Sequence, residues 1–145
     1  MDKGVTERGA MASDPDMLAI GIEAAVRAND PEKLGDYLTT ASASDGMAKH
    51  PLYNAITARG IGVAKKLSGN NAEAANFLHS ALADFQELDT SWQIGRTLLE
   101  LGEVERSLGN ADQAREHFSD AVSAFESLGA NPDTERARAG LELMK

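Results

Sequence analysis

The chain is expected to fold as an all-α stack of antiparallel helix pairs, about seven helices in all. Three observations point there. The stretches 62–88 and 102–128 align without a gap. They share Gly62/Gly102, Gly69/Gly109, Asn70/Asn110, Ala74/Ala114, Ala81/Ala121, Phe85/Phe125 and Leu88/Leu128. A fixed period of this size marks a repeat architecture in which each unit buries its apolar face on the next. No segment combines two-residue alternation with β-branched enrichment, so strands are not expected. Helix start and stop signals also recur along the chain.

Asp14-Pro15 opens the first helix. Asp accepts free amide hydrogens at a helix start, and Pro is tolerated in the first turn. Leu18, Ile22 and Ala25/Val26 then recur at helical spacing to about Ala28. Asp30-Pro31 repeats the signal, with Leu34, Leu38 and Ala41 lining a second helix. Ser42 to His50 is small, polar and Gly-containing, which reads as a loop. Pro51 opens a third helix that runs to Ser68, with Gly69 as a left-handed terminator. Asn70-x-x-Glu73 has the form of a capping box before a fourth helix ending near Leu88. A turn at Asp89-Thr90-Ser91 leads into a fifth helix ending at Leu108. Asn110-x-x-Gln113 is a second capping-box pattern before a sixth helix, which stops at Gly129. Asn131-Pro132 begins a seventh helix. Residues 1–12 carry alternating charges without an apolar run and read as a disordered leader rather than a signal peptide.

At 145 residues the chain suits one domain. Expected within it are a degenerate helix pair over 14–43, repeats over 51–88 and 91–128, and a capping helix over 132–144. Aromatics are 5% of residues, so the core must come from Ala, Leu, Ile and Val. A net charge of −9 argues against nucleic acid and against anionic membranes, both of which favour clustered Lys and Arg. No window is apolar enough to span a membrane. The absence of Cys removes disulfides, thiolate metal sites and Cys nucleophiles, and fits a cytoplasmic location.

The repeats resemble the tetratricopeptide repeat family, whose signature runs W-x2-L-G-x2-Y and then A-x3-F. Leu101-Gly102, Ala114 and Phe118 match it, as do Ile61-Gly62, Ala74 and Leu78 in the first copy. Ala58 and Leu98 stand in the Trp position, and Lys65 and Glu105 in the Tyr position. A Gly inside a helix costs about 1 kcal/mol against Ala. Gly62 and Gly102 at one phase therefore imply close helix crossings, with Ala74, Ala81, Ala114 and Ala121 as the facing small residues. The forty-residue period is similar to that of the long-helix arrays in large bacterial signalling and transcription regulators. The ending FESLGANPDTERARAGLELMK resembles the lone capping helix of such arrays. The resemblance is good over 53–145 and degenerate over 14–50. It implies a right-handed superhelix that binds proteins, with no cofactor.

Catalytic and metal motifs are missing. His50, His79 and His117 show no His-Glu-x-x-His, Glu-x-x-His or His-x-x-x-His spacing, so they read as isolated surface or loop residues. Gly60-Ile61-Gly62 with Lys65-Lys66 lies mid-helix, whereas a phosphate-binding loop follows a strand and opens a helix. Asp112, Glu116 and Asp120 form an acidic stripe that reads as a solvated face, with docking of a basic partner as the alternative. No Ser or Thr joins a His and a carboxylate in a known motif.

In tetratricopeptide stacks the first helix of each pair lines a concave groove. By resemblance this places Ile56, Arg59, Val63 and Lys66 on the groove from one repeat. Arg96, Leu99, Glu100, Glu103 and Arg106 come from the next, and Arg136 and Leu143 from the last helix. Arg and Lys on one strip of an acidic protein suit an acidic or C-terminal carboxylate segment. Cations in the last helical turns also complement the helix dipole without any ligand. The carboxylate clamp of chaperone-binding members needs Lys and Asn where Arg59, Val63 and Glu100 stand, so that clamp is not expected. The leading expectation is a module that binds a partner peptide or helix in the groove. Alternatives are a small acidic chaperone for a secreted protein, or a self-associating scaffold forming a homodimer.

Overall fold

The computed structural model describes residues 14–129 and 131–144, leaving the expected leader outside the described residues. Every regular element among them is a helix, and they form a helical solenoid. In order these are α1 (Pro15–Ala28), α2 (Pro31–Ser42), α3 (Asp45–Lys49), α4 (Pro51–Leu67), α5 (Asn71–Glu87), α6 (Ser91–Ser107), α7 (Ala111–Leu128) and α8 (Asn131–Glu142). Contacts run mainly between neighbours in sequence. The first helices of successive pairs also touch, α1 on α4, α4 on α6, and α6 on α8.

The repeat has a finer clock than its forty-residue period. Helices α4 to α8 begin at Pro51, Asn71, Ser91, Ala111 and Asn131, twenty residues apart. Each of the three intervening turns, and the one before α8, has a left-handed residue: Gly69 (φ 84°), Asp89 (φ 54°), Gly109 (φ 84°) and Gly129 (φ 69°). The next amide reaches back to close the turn, as Asn70 N donates to Lys65 O (2.8 Å) and Asn110 N to Glu105 O (2.9 Å). This closure satisfies carbonyls left over at the helix end.

Two local expectations need correction. Asn70 and Asn110 stand at the caps of α5 and α7, but neither side chain makes a capping hydrogen bond. Asn110 Nδ2 instead donates to Glu105 Oε2 (3.0 Å), and Glu73 pairs with Lys65 (3.0 Å). The expected loop at 42–50 contains α3. Ser44 Oγ accepts from Met47 N (3.2 Å), and this one turn buries Met47. Asp14 and Asp30 do cap, accepting from Asp16 N (2.9 Å) and Lys33 N (3.1 Å).

The core follows the repeat. Ala55, Ala74, Ala81, Ala114 and Ala121 are fully enclosed, together with Phe85, Phe118 and Phe125. The helical glycines mark the tight crossings, but large side chains fill the space they leave. A Cβ on Gly62 would lie 2.9 Å from Leu78 Cγ, and one on Gly102 would lie 2.7 Å from the Phe118 ring. Gly140 on α8 approaches the same ring, so Phe118 is held between two glycines.

Candidate interaction surface

Helices α1, α4, α6 and α8 meet along a seam of charged side chains. The positions on α6 that face it, Gln93, Arg96, Thr97 and Glu100, follow the three- and four-residue spacing of one helix face. Arg59 on α4 is at the centre and is 1% exposed. Its guanidinium pairs with Glu23 on α1 and donates to Gln93 O and Thr97 Oγ1 (both 3.3 Å). It also lies over the Phe85 ring, 4.9 Å from the centroid. Burial pulls the Arg59 pKa down, and Glu23 opposes that pull.

A second group joins α4, α6 and α8. Lys66 Nζ donates to Glu100 Oε1 (2.6 Å) and Glu103 Oε1 (2.7 Å). Arg136 on α8 approaches Glu103 (3.2 Å) and Glu100 (3.6 Å) from the other side. Burial alone would raise Glu103, but Lys66 and Arg136 together outweigh it and hold the carboxyl below its ordinary value. Burial likewise pulls on Lys66, and Glu100 and Glu103 overcome it, leaving the ammonium above its usual range.

The third group ties the first helix to the last. Asp133 on α8 stands 3.6 Å from Arg27 on α1 and 3.5 Å from Arg96 on α6. Both guanidiniums face the Trp92 ring, at 5.4 and 5.7 Å from its centroid, and Trp92 Nε1 donates to Asp133 (3.2 Å). Cation–π attraction of this kind adds about 0.5–1 kcal/mol at partly exposed sites. These ion pairs are longer than the 2.7–2.9 Å usual for charged hydrogen bonds. Gln93 Oε1, Arg96 Nε and Glu100 Oε2 are buried without a hydrogen-bond partner among the described residues. One such atom lies in each of the three groups of the seam.

Of the eleven residues expected on a groove, Glu100 is buried within this seam and Leu143 is exposed beyond the end of α8. Val63 and Leu99 are fully enclosed in the core. Arg59 and Arg96 are buried as well, engaged by Glu23 and Asp133, so neither stands open to solvent. Lys66, Glu103 and Arg136 are partly exposed, with side-chain exposures of 14%, 25% and 33%. Ile56 lines a cleft of about 530 Å³ with Asp16, Ala19, Ile20, Glu23 and Tyr53. Arg106 is exposed in the last turn of α6. Glu23, Arg27, Trp92, Gln93 and Asp133 were not expected. The forty-residue period carried a signal for some of them, because Gln93 and Asp133 are repeat equivalents, as Arg96 and Arg136 are.

Glycine-spaced first helices, left-handed terminators and enclosed Ala and Phe positions together describe one repeat type. A family model of the tetratricopeptide repeat matches residues 53–127. The chain belongs to the tetratricopeptide repeat family. Tetratricopeptide repeats generally mediate protein–protein interactions. No curated protein matches this chain. Among the described residues no helix is long and apolar enough to cross a membrane.

Proposed function

We propose that this tetratricopeptide repeat protein holds an acidic peptide or helix of a protein partner along the seam of its first helices. The site is the mouth formed by Arg27, Trp92 and Arg136, with the buried Arg96 beneath it. One observation supports this reading above the rest: the two most exposed charged side chains of the seam are both arginines. They are Arg27 at 49% and Arg136 at 33%, while Glu100 and Asp133 are at 1% and 10%. A partner approaching from solvent meets guanidinium groups and the flank of an indole, a combination that binds carboxylates and apolar side chains together. Arg59, Val63 and Leu99 act as scaffold beneath this surface. The long repeat period supports a place in a bacterial signalling or regulatory assembly.

Trp92 is the only Trp, so its fluorescence reports on the site directly. A Glu-rich peptide carrying one or two apolar residues is expected to shift Trp92 emission. Its affinity should fall as salt rises, because partly exposed charges are screened. A Lys-rich peptide of the same length that shifts the emission equally would refute the reading.

A further inference from the structure

Two histidines separated by 38 positions come together on the second helices of neighbouring pairs. His79 on α5 and His117 on α7 have ring centroids 5.8 Å apart, with planes at 61°. The sequence reading of these two as isolated residues is therefore corrected. Their meeting is not a product of the repeat, which sets Ser119 against His79 and Phe77 against His117. Both backbones are held firmly, because Leu78 and Phe118 next to them are fully enclosed. His79 is exposed and His117 half-buried, so the pair is open to solvent. Among the described residues no hydrogen bond holds their ring nitrogens.

We infer that His79 and His117 form a two-imidazole site for a borderline transition-metal cation such as Zn2+, Ni2+ or Cu2+. Imidazole suits these ions, and His is the commonest ligand type for them. A metal–nitrogen bond of about 2.0–2.1 Å puts each ligating ring's centroid about 3.2 Å from the ion. Two rings on one ion then stand about 5–6 Å apart, depending on the angle at the metal. The observed separation falls in that interval. Burial and then His79 hold the His117 imidazole below its ordinary pKa, against the opposing charge of Glu105, Glu116 and Asp120. Among the described residues no three metal-ligating side chains gather, so water completes the coordination. A bound ion would staple α5 to α7, two helices that are not neighbours in sequence. It would thereby stabilise the folded stack, since a ligand selective for the folded state raises its stability.

The test is calorimetric titration of the full chain, free of any affinity tag, with Ni2+ and Zn2+, alongside thermal unfolding with and without metal. One ion per chain is expected, with a rise in melting temperature. Affinity should drop at least about tenfold in His79→Ala and in His117→Ala. His50→Ala should bind as the parent does, because His50 is stacked on Tyr53 at 4.0 Å and its Nδ1 accepts from Tyr53 N (3.4 Å). Absence of binding, or equal binding by all three variants, would overturn the inference. Neither outcome bears on the seam of first helices, which shares no residue with this pair.

Discussion

Arg59 shows how a fully enclosed charge is stabilised and what its loss leaves behind. Its guanidinium joins α1, α4 and α6 through Glu23, Gln93 and Thr97. Removing one partner of a buried ion pair generally costs about 3–5 kcal/mol, because the other charge stays behind unpaired. Arg59→Ala should therefore cost about 3 kcal/mol or more in denaturant unfolding. Arg59→Met should cost less, since it keeps volume against Phe85 and leaves Glu23, which is 21% exposed, within reach of water. Glu103 makes the pH-dependent contribution. Against the opposing effect of burial, Lys66 and Arg136 depress its folded pKa, so its stabilisation is present above the ordinary carboxyl value of 4.5. That stabilisation is lost as pH falls through the lower folded value. Glu103→Gln should flatten the acid limb of a stability–pH curve while lowering stability at neutral pH. Lys66 has the opposite sign: its contribution is present below 10.5 and lost as pH rises through the raised folded value. The sequence placed Arg59 on a groove-lining face of its helix. It could not show that the face meets Glu23, 36 residues earlier, rather than solvent.

Helices and turns followed local rules closely, which is why most of them were legible. Proline and aspartate starts, and glycines at left-handed terminators, act within a few residues and leave their mark in any one sequence. The misreadings share a cause. Helix α3 has five residues and one buried side chain, Met47, too few to show a period. The Asn70 and Asn110 capping patterns were present, yet Asn110 found a stronger partner in the carboxylate of Glu105. The helical glycines provide an element-scale test. Ala normally gains about 1 kcal/mol over Gly within a helix. At Gly35 on α2 an added Cβ meets nothing within 4 Å, so Gly35→Ala should stabilise by up to that amount. At Gly102 the same Cβ would press on the Phe118 ring at 2.7 Å. Overpacking of this kind costs about 1–3 kcal/mol, so Gly102→Ala should destabilise despite its helix propensity. Thermal unfolding of the two variants should move in opposite directions.

The stack behaves mainly as a chain of nearest-neighbour contacts, with longer reaches among the described residues where Gln93 meets Glu23 and where Arg27, Trp92 and Asp133 connect α1 to α8. That tie is made of long, partly exposed ion pairs, so about 1 M salt should loosen it and shift Trp92 emission. Asp133→Asn should cause a similar shift at low salt. The tie was illegible in the sequence because it joins residues more than a hundred positions apart and depends on the curvature of the entire array. It also identifies the surface on which function is proposed, since Arg27 and Arg136 stand at its edge. Both are partly exposed, so replacement by Gln, which keeps a hydrogen-bond donor beside Asp133, Glu100 and Glu103 and adds no like charge, should cost little stability. The most direct test is affinity capture of a partner from the native cell, compared between the parent chain and the double variant Arg27→Gln with Arg136→Gln. A partner with an acidic segment is expected, recovered at least about tenfold less by the variant while the variant's helical content and melting temperature stay near the parent's. Equal recovery by parent and variant would contradict it.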